Sequence, residues 1–276
     1  MKLYLDIGGT HIRYMFKEKG KEIIKTVDTK KTPVVPFLEH LIEHSERVPD
    51  FVGISFAGQV HNGSIMSAPN IDIGNINIED FIHKRYGIRC VIENDLKCAA
   101  LAEYEKRKSA SMLVAIAIGT GFGSAYIYNG KLIRGSKNLA GEIGHMPFKQ
   151  APFRCGCGQR SCLELFTSGS GLARWVEYFK IDSKPLLDDL LHSKDKNAKV
   201  VVDNFYEGLA LAARTIVAVL NPDVIVMGGG LIKHNPHLLS FVRSEIKTKA
   251  FTPAARSVKV EAAMHNASLA GAQLLE

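Results

Sequence analysis

Leu5-Asp6-Ile7-Gly8-Gly9-Thr10-His11-Ile12-Arg13 places a carboxylate at the end of an apolar run, breaks on paired glycines and re-enters an alternating run. Residues 2–7 read as a strand, Gly8-Gly9-Thr10 as a turn and residues 11–16 as a second strand, with glycine as the punctuation between them. Residues 17–21 give another turn and 22–27 a third strand, so the chain opens as a meander. A helix over 36–47, a strand over 51–56, a helix over 78–86 and a strand over 88–92 follow. Asn94 or Asp95 then caps a helix that runs to Arg107. The order is βββαβαβα.

The opening returns farther on. A strand beginning at Met112 meets Gly119-Thr120-Gly121-Phe122-Gly123, another strand follows, and Asn129-Gly130 gives a hairpin signal before residues 131–134. The repeat is of architecture rather than letters, at a separation of about 110 residues, and it argues for two related α/β lobes with a cleft between them. The expected division is an N-terminal lobe over 1–108, joined by the closing helix within 265–276, and a larger lobe over 109–264. Later helices are expected over 168–179, 184–192 and 199–220. A strand over 224–227 ends in Gly228-Gly229-Gly230, and a helix, a strand over 258–263 and a helix over 268–275 complete the chain.

The 276 residues are 46% hydrophobic and 23% charged, ample for one or two cores. No run approaches the roughly 20 apolar residues that span a bilayer, and the start Met1-Lys2-Leu3-Tyr4 has no apolar leader. A soluble, cytoplasmic protein with no membrane partner is expected. The net charge of +7 is spread along the chain, and the densest basic cluster, 103–108, includes two glutamates. This distribution argues against a nucleic-acid partner.

Three glycine clusters each follow an apolar strand: Gly8-Gly9-Thr10, Gly119 to Gly123, and Gly228-Gly229-Gly230. Glycine lets backbone amides close on a phosphate because no Cβ intervenes. None has a Walker lysine, and the first two lead into strands, so neither the P-loop nor the dinucleotide fingerprint applies. With Asp6 in the first cluster, the set points to a nucleoside triphosphate and to Mg²⁺ held by the carboxylate directly or through water.

Cys155-Gly-Cys157-Gly-Gln-Arg-Ser-Cys162-Leu-Glu164 gathers three of the five cysteines. In a reducing compartment such a group indicates a metal rather than disulfides. Upstream, His145 supplies a fourth ligand of a common structural zinc set, and Glu142 could also ligate. Four protein ligands close the coordination sphere, which makes the ion structural. Cys90 and Cys98 stand in apolar surroundings as core residues. Asp95 reads either as a helix cap or as a catalytic carboxylate, and a helix N-terminus would keep it ionised at neutral pH.

These stretches resemble the ROK sugar kinases and repressors, of the actin/hexokinase-like ATPase superfamily with its two-lobed ribonuclease H-like fold. Asp6 to Arg13 resembles the family's first phosphate motif, Gly119 to Gly123 its second, and Gly228-Gly229-Gly230-Leu231 its nucleotide-side motif. Glu142-Ile-Gly-His145 followed by the cysteine segment resembles the family's signature. The likeness extends to Asn266-Ala-Ser-Leu-Ala-Gly-Ala. It implies ATP and Mg²⁺ at Asp6, Gly8, Gly9, Thr10, Gly119, Thr120, Gly121, Gly123 and Gly228 to Gly230. It implies zinc on His145, Cys155, Cys157 and Cys162, and Asp95 as the base. Sugar contacts fall to Asn70, Asn94, Asp95, Glu142, His145 and Glu164, and a homodimer is implied. The implied reaction is phosphorylation of a hexose 6-hydroxyl, first of glucose, with N-acetylmannosamine or N-acetylglucosamine as alternatives. A non-catalytic sugar-binding or transcription-regulatory homologue is the alternative of another class. Repressors carry a winged helix-turn-helix ahead of this fold, and a first strand at Lys2 leaves no room for one. The chain departs from the family at Ile71-Asp-Ile-Gly-Asn75, where a Gly-Trp or similar pair is frequent, and at Ser124-Ala125, where glycines are usual. Both departures bear on the sugar's identity.

Overall fold

Lys2–Ile7 forms β1 in the computed structural model, which describes residues 1–18, 21–68 and 71–276. It pairs antiparallel with β2 (His11–Glu18), against which β3 (Lys21–Glu22) and β4 (Lys25–Asp28) also lie. The third strand expected over 22–27 is therefore two short edge pieces. After α1 (Val34–Glu43) comes β5 (Phe51–Phe56), buried at every position and parallel to β1. A hairpin of β6 (Gln59–His61) and β7 (Ser64–Ser67) precedes α2 (Ile78–Tyr86), and β8 (Arg89–Asn94) then adds parallel to β5. α3 (Asp95–Glu105) follows directly.

Period-two alternation sorts this sheet's side chains. Leu3, Leu5, Ile7, Val52, Ile54, Cys90 and Ile92 pack with Leu38 of α1 and Ile78 and Ile82 of α2. Tyr4, Met15 and Phe51 pack on the other face with Cys98 of α3 and with Leu269 and Leu275 near the C-terminus. Asp6 belongs to that second face. The parallel register sets it level with Ser55, and Ser55 level with Glu93.

Met112–Ile118 (β9) and Phe122–Tyr128 (β10) repeat the antiparallel hairpin, with β11 (Lys131–Leu132) at the edge. Four helices follow: α4 (Glu164–Thr167), α5 (Gly169–Phe179), α6 (Leu187–Leu191) and α7 (Lys196–Leu220). β12 (Val224–Gly228) joins parallel to β9. After α8 (Gly230–His234), α9 (His237–Lys249) and α10 (Thr252–Ala255), β13 (Lys259–Ala262) joins parallel to β12. The single helix expected after Gly230 is thus three. α7 is capped by Asp195, whose carboxylate accepts from Asn197 N, and it ends on Asn221 in the left-handed region at φ 44°. α11 (Ala267–Ala272) closes the chain.

The described chain divides into two units, residues 1–106 with 134–140 and 265–276, and residues 107–133 with 141–264. Segment 134–140, assigned from sequence to the second lobe, groups with the first. Each unit has a mixed sheet of the same plan, an antiparallel hairpin extended by two parallel strands. Among the described residues no helix is long and apolar enough to cross a membrane.

In the first unit α11 lies directly on α3. A Cβ built on Gly271 would stand 1.7 Å from the Cys98 carbonyl oxygen, a distance only a glycine allows. Gly271→Ala is expected to lower stability by about 1–3 kcal/mol, read from urea unfolding. Gly74 has open space where its Cβ would be, and Gly74→Ala is expected to stay within about 0.5 kcal/mol of the parent.

Candidate active site

In the first unit the strand ends gather two carboxylates. Asp6 is buried, accepting at Oδ1 from Ser55 Oγ (2.9 Å) and at Oδ2 from Arg13 Nη1 (3.1 Å). Arg13 is its register partner on β2. Burial nonetheless raises the Asp6 carboxyl above its ordinary range, outweighing those bonds. Gly8, Gly9 and Thr10 form the turn beside it. Gly8 N donates to His11 O (3.0 Å), and Thr29 Oγ1 donates to Gly8 O (2.7 Å).

Asp95 opens α3, but the cap is Asn94. Its Oδ1 accepts from Leu96 N and Lys97 N, both at 3.1 Å. Asn94 Nδ2 donates to Gly58 O (3.0 Å) and to Asp95 Oδ1 (3.1 Å), and Leu96 N donates to the same Asp95 oxygen (2.8 Å). The expectation of an Asp95 held ionised by the helix terminus is corrected here. The residue is half-buried, and desolvation by the surrounding protein, reinforced by the charge of Asp6, pushes its pKa up to about 7. Backbone and Asn94 bonds pull the other way without prevailing. Asn70, the remaining sugar candidate of this half, lies outside the described residues.

Four residues that sequence reasoning did not assign, Ser55, Glu93, Arg134 and Asn138, complete this half. Ser55 anchors Asp6. Glu93 is buried and bonded to Arg134 Nε (2.9 Å) and Asn138 Nδ2 (2.7 Å). The one signal available was Glu93 itself, a carboxylate that follows the apolar Cys90-Val91-Ile92 and precedes Asn94-Asp95.

In the second unit two glycine motifs adjoin. A Cβ on Gly119 would lie 3.6 Å from Gly230 N, and Gly229 adopts φ +90° with Ile118 O only 2.3 Å from where its Cβ would be. Gly229 therefore needs glycine on two counts. The N-terminus of α5 seats under the first of these turns, with Gly169 N donating to Gly119 O (2.8 Å) and Ser170 N to Thr120 O (3.1 Å). Glu164 fastens to the same turn, accepting from Phe122 N (2.9 Å). Past Gly123, the Ser124 hydroxyl donates to Gly141 O (2.8 Å), tying β10 to the segment that carries Glu142.

His145, Cys155, Cys157 and Cys162 offer four ligand atoms within 4.8 Å of one another. Cys157 Sγ and Cys162 Sγ are 3.3 Å apart, and Cys155 Sγ is 3.6 Å from His145 Nδ1. A tetrahedral ion with bonds of about 2.3 Å spaces its sulfurs by about 3.8 Å, so the donor set fits. Burial pushes the Cys155 and Cys162 thiols up. At Cys157 burial is outweighed by hydrogen bonds, the Gln159 N–H foremost, which bring it below its usual range. The other face of the imidazole turns to sugar candidates: Nε2 is 3.8 Å from Glu142 Oε2, and Cys155 Sγ is 3.6 Å from Glu164 Oε1. The Pro147–Cys162 bridge, with Leu163 N donating to Met146 O (2.9 Å), closes the knuckle against the His145 segment. Glu142, His145 and Glu164 thus stand around one set of candidate metal ligands.

The chain is similar to known sugar kinases. The N-acetyl-D-glucosamine kinase of Mannheimia succiniciproducens is 32% identical over 252 residues, spanning 82% of this chain and 83% of that one. The glucokinase of Thermotoga maritima is 26% identical over 272 residues, spanning 88% and 86%. The solved ROK hexokinase from Thermus thermophilus matches with a TM-score of 0.80 at 25% identity, covering 99% of this chain and 96% of that one, and the α/β fold is of that type. The model of the ROK family matches residues 3–276, and the chain belongs to the ROK family.

Proposed function

We propose that this protein is an ATP-dependent sugar kinase that phosphorylates the 6-hydroxyl of a gluco-configured aldohexose. The observation that carries the reading is Asp95. Its carboxyl is desolvated to a pKa of about 7 at the start of α3, and the charge of a second buried carboxylate, Asp6 of β1, adds to that shift. A base whose pKa matches neutral pH transfers protons efficiently in either direction. Asp95 Oδ1 is engaged by Asn94 and Leu96, so Oδ2 takes the sugar's hydroxyl proton as the oxygen attacks phosphorus. The bond from that phosphorus to ADP breaks and the proton stays on Asp95 until product leaves. Asn94 fixes the carboxylate's orientation, and holding the hydroxyl in line supplies much of the acceleration.

Asp6 suits Mg²⁺, which when bound offsets charge on the phosphates. Gly8 to Thr10, Gly119 to Gly123 and Gly228 to Gly230 offer backbone N–H groups to the nucleotide. Glu142, His145 and Glu164 accept and donate to the sugar's hydroxyls, and zinc on the Cys3His set holds them in place. Resemblance at Glu142 favours a pyranose over fructose. The 32% identity to an N-acetyl-D-glucosamine kinase favours the 2-acetamido sugar as a second reading. A homodimer in a reducing cytoplasm fits the family resemblance and the unpaired cysteines.

ADP release from Mg-ATP, measured with glucose, N-acetylglucosamine, N-acetylmannosamine, mannose, fructose and a blank, tests the assignment. One gluco-configured responder is expected, with Asp95→Ala lowering its turnover by about a thousandfold. Silence across the panel, or an unimpaired variant, would overturn it.

The carboxylate pair also sets a stability prediction. The Asp95 pKa is raised above the ordinary 3.8, so its stabilising contribution is full below that value and is lost as pH rises through about 7. In Mg²⁺-free buffer Asp95→Asn is therefore expected to melt at least about 2 °C above the parent at pH 8. The gap should narrow at pH 5.

For the metal, elemental analysis is expected to return one zinc per chain. Cys157→Ser should lose it and raise the sugar KM by about tenfold or more, with the ATP KM little changed. Full zinc retention in the variant would remove Cys157 from the ligand set.

A further inference from the structure

Glu93 has no part in the transfer described above, yet it is only 4% exposed and fully engaged. Its Oε1 accepts from Asn94 N (2.9 Å) and from Asn138 Nδ2 (2.7 Å), and its Oε2 from Arg134 Nε (2.9 Å). A buried carboxylate is costly unless paired and hydrogen-bonded, and an apolar side chain would serve strand packing as well. Something other than packing keeps it there.

Its side-chain partners come from one excursion of the chain, Arg134–Ala140, which groups with the first unit although the residues on either side of it do not. Asn138 acts there purely as a donor. Its Nδ2 reaches Glu93 and also Val60 O (2.8 Å), while its Oδ1 is buried without a partner among the described residues. Turning the amide over would aim Oδ1 at two acceptors, so the orientation is fixed. Its backbone sits at φ +58°, a region in which asparagine is tolerated better than most residues. Lys97, buried on α3, donates from Nζ to the Asn138 carbonyl. The excursion therefore grips the chain on both sides of Asp95, at Glu93 and at Lys97.

We propose that Glu93, clamped by Arg134 and Asn138, is the positioning residue of the base. It fixes the Asn94 peptide, and through it the Asn94 amide that orients Asp95 Oδ1. The inference rests on Asp95 being the base, and a double-mutant cycle separates the two. Turnover with the responding sugar is measured for the parent, Asp95→Ala, Glu93→Gln and the double variant, each normalised to folded protein. Glu93→Gln is expected to lower kcat by about 10- to 100-fold with both KM values within about threefold, as a displaced base should. In the Asp95→Ala background it is expected to change turnover by less than about twofold.

Arg134→Ala should follow Glu93→Gln, while Arg134→Lys, which keeps the charge, restores kcat to within about threefold. Asn138→Gly keeps the backbone conformation, removes the two donors, and is expected to lose about tenfold. These two sites carry the same cycle if Glu93→Gln does not fold. An equal loss in both backgrounds would assign Glu93 a role in the fold alone and overturn the proposal, as would unchanged kcat in Asn138→Gly. Full activity of Asp95→Ala by itself would instead remove the base assignment, and this inference with it.

Discussion

The parallel register of β1, β5 and β8 is the constraint on which the first unit's chemistry depends. It puts Asp6, Ser55 and Glu93 on one row, and Ile7, Phe56 and Asn94 on the next. Period-two alternation then turns the acidic row toward α3 and α11 and the apolar row toward α1 and α2. A one-residue slip in any strand would exchange the rows, burying carboxylates among aliphatic side chains. The hydrophobic core and the site are thus specified together. The same residues that fill the core fix where the acids point.

The second unit reaches order by a different route. Its sheet repeats the plan of the first, but the polar residues that matter sit on irregular backbone between β11 and α4. That stretch has few ladder bonds of its own; Ala151, Cys155, Cys162 and Leu163 anchor it to the second unit's core, and the four clustered candidate ligands would add a second tie. Glu164 shows how the pieces are tied. It starts α4 two residues after a metal ligand, and its carboxylate accepts from the N–H that follows the glycine turn. A cation at the cysteines would therefore bear on the turn as well as on the sugar candidates.

Much of this was legible in the sequence wherever the signal is local. The glycine turns, the Asn129-Gly130 hairpin, the Asn94-Asp95 junction and the histidine–cysteine spacing each occupy a few consecutive residues with narrow chemistry. What escaped is nonlocal. Asn138 lies 45 positions from Glu93, inside a polar loop with no periodicity to interpret. The protonation of Asp95 was misjudged because a helix terminus is visible in sequence, whereas desolvation and a like charge from Asp6 exist only after folding. The fragmentation of residues 22–27 into β3 and β4 follows from edge strands having little burial to enforce regularity.

The two carboxylates of the first unit also mark where folding and function pull apart. Both Asp6 and Asp95 hold protons more tightly than free carboxyls do, which means the fold resists their ionisation. A sequence selected for stability alone would neutralise one of them. Instead the chain adds Arg13 and Ser55 around the first and Asn94 with the N–H of Leu96 around the second, enough to orient the charges without cancelling the strain. Under the proposed function a cation and a substrate hydroxyl would relieve that strain, so that ligand binding and ionisation of the pair would be linked. The empty first unit is consequently less stable with the pair ionised than with it protonated.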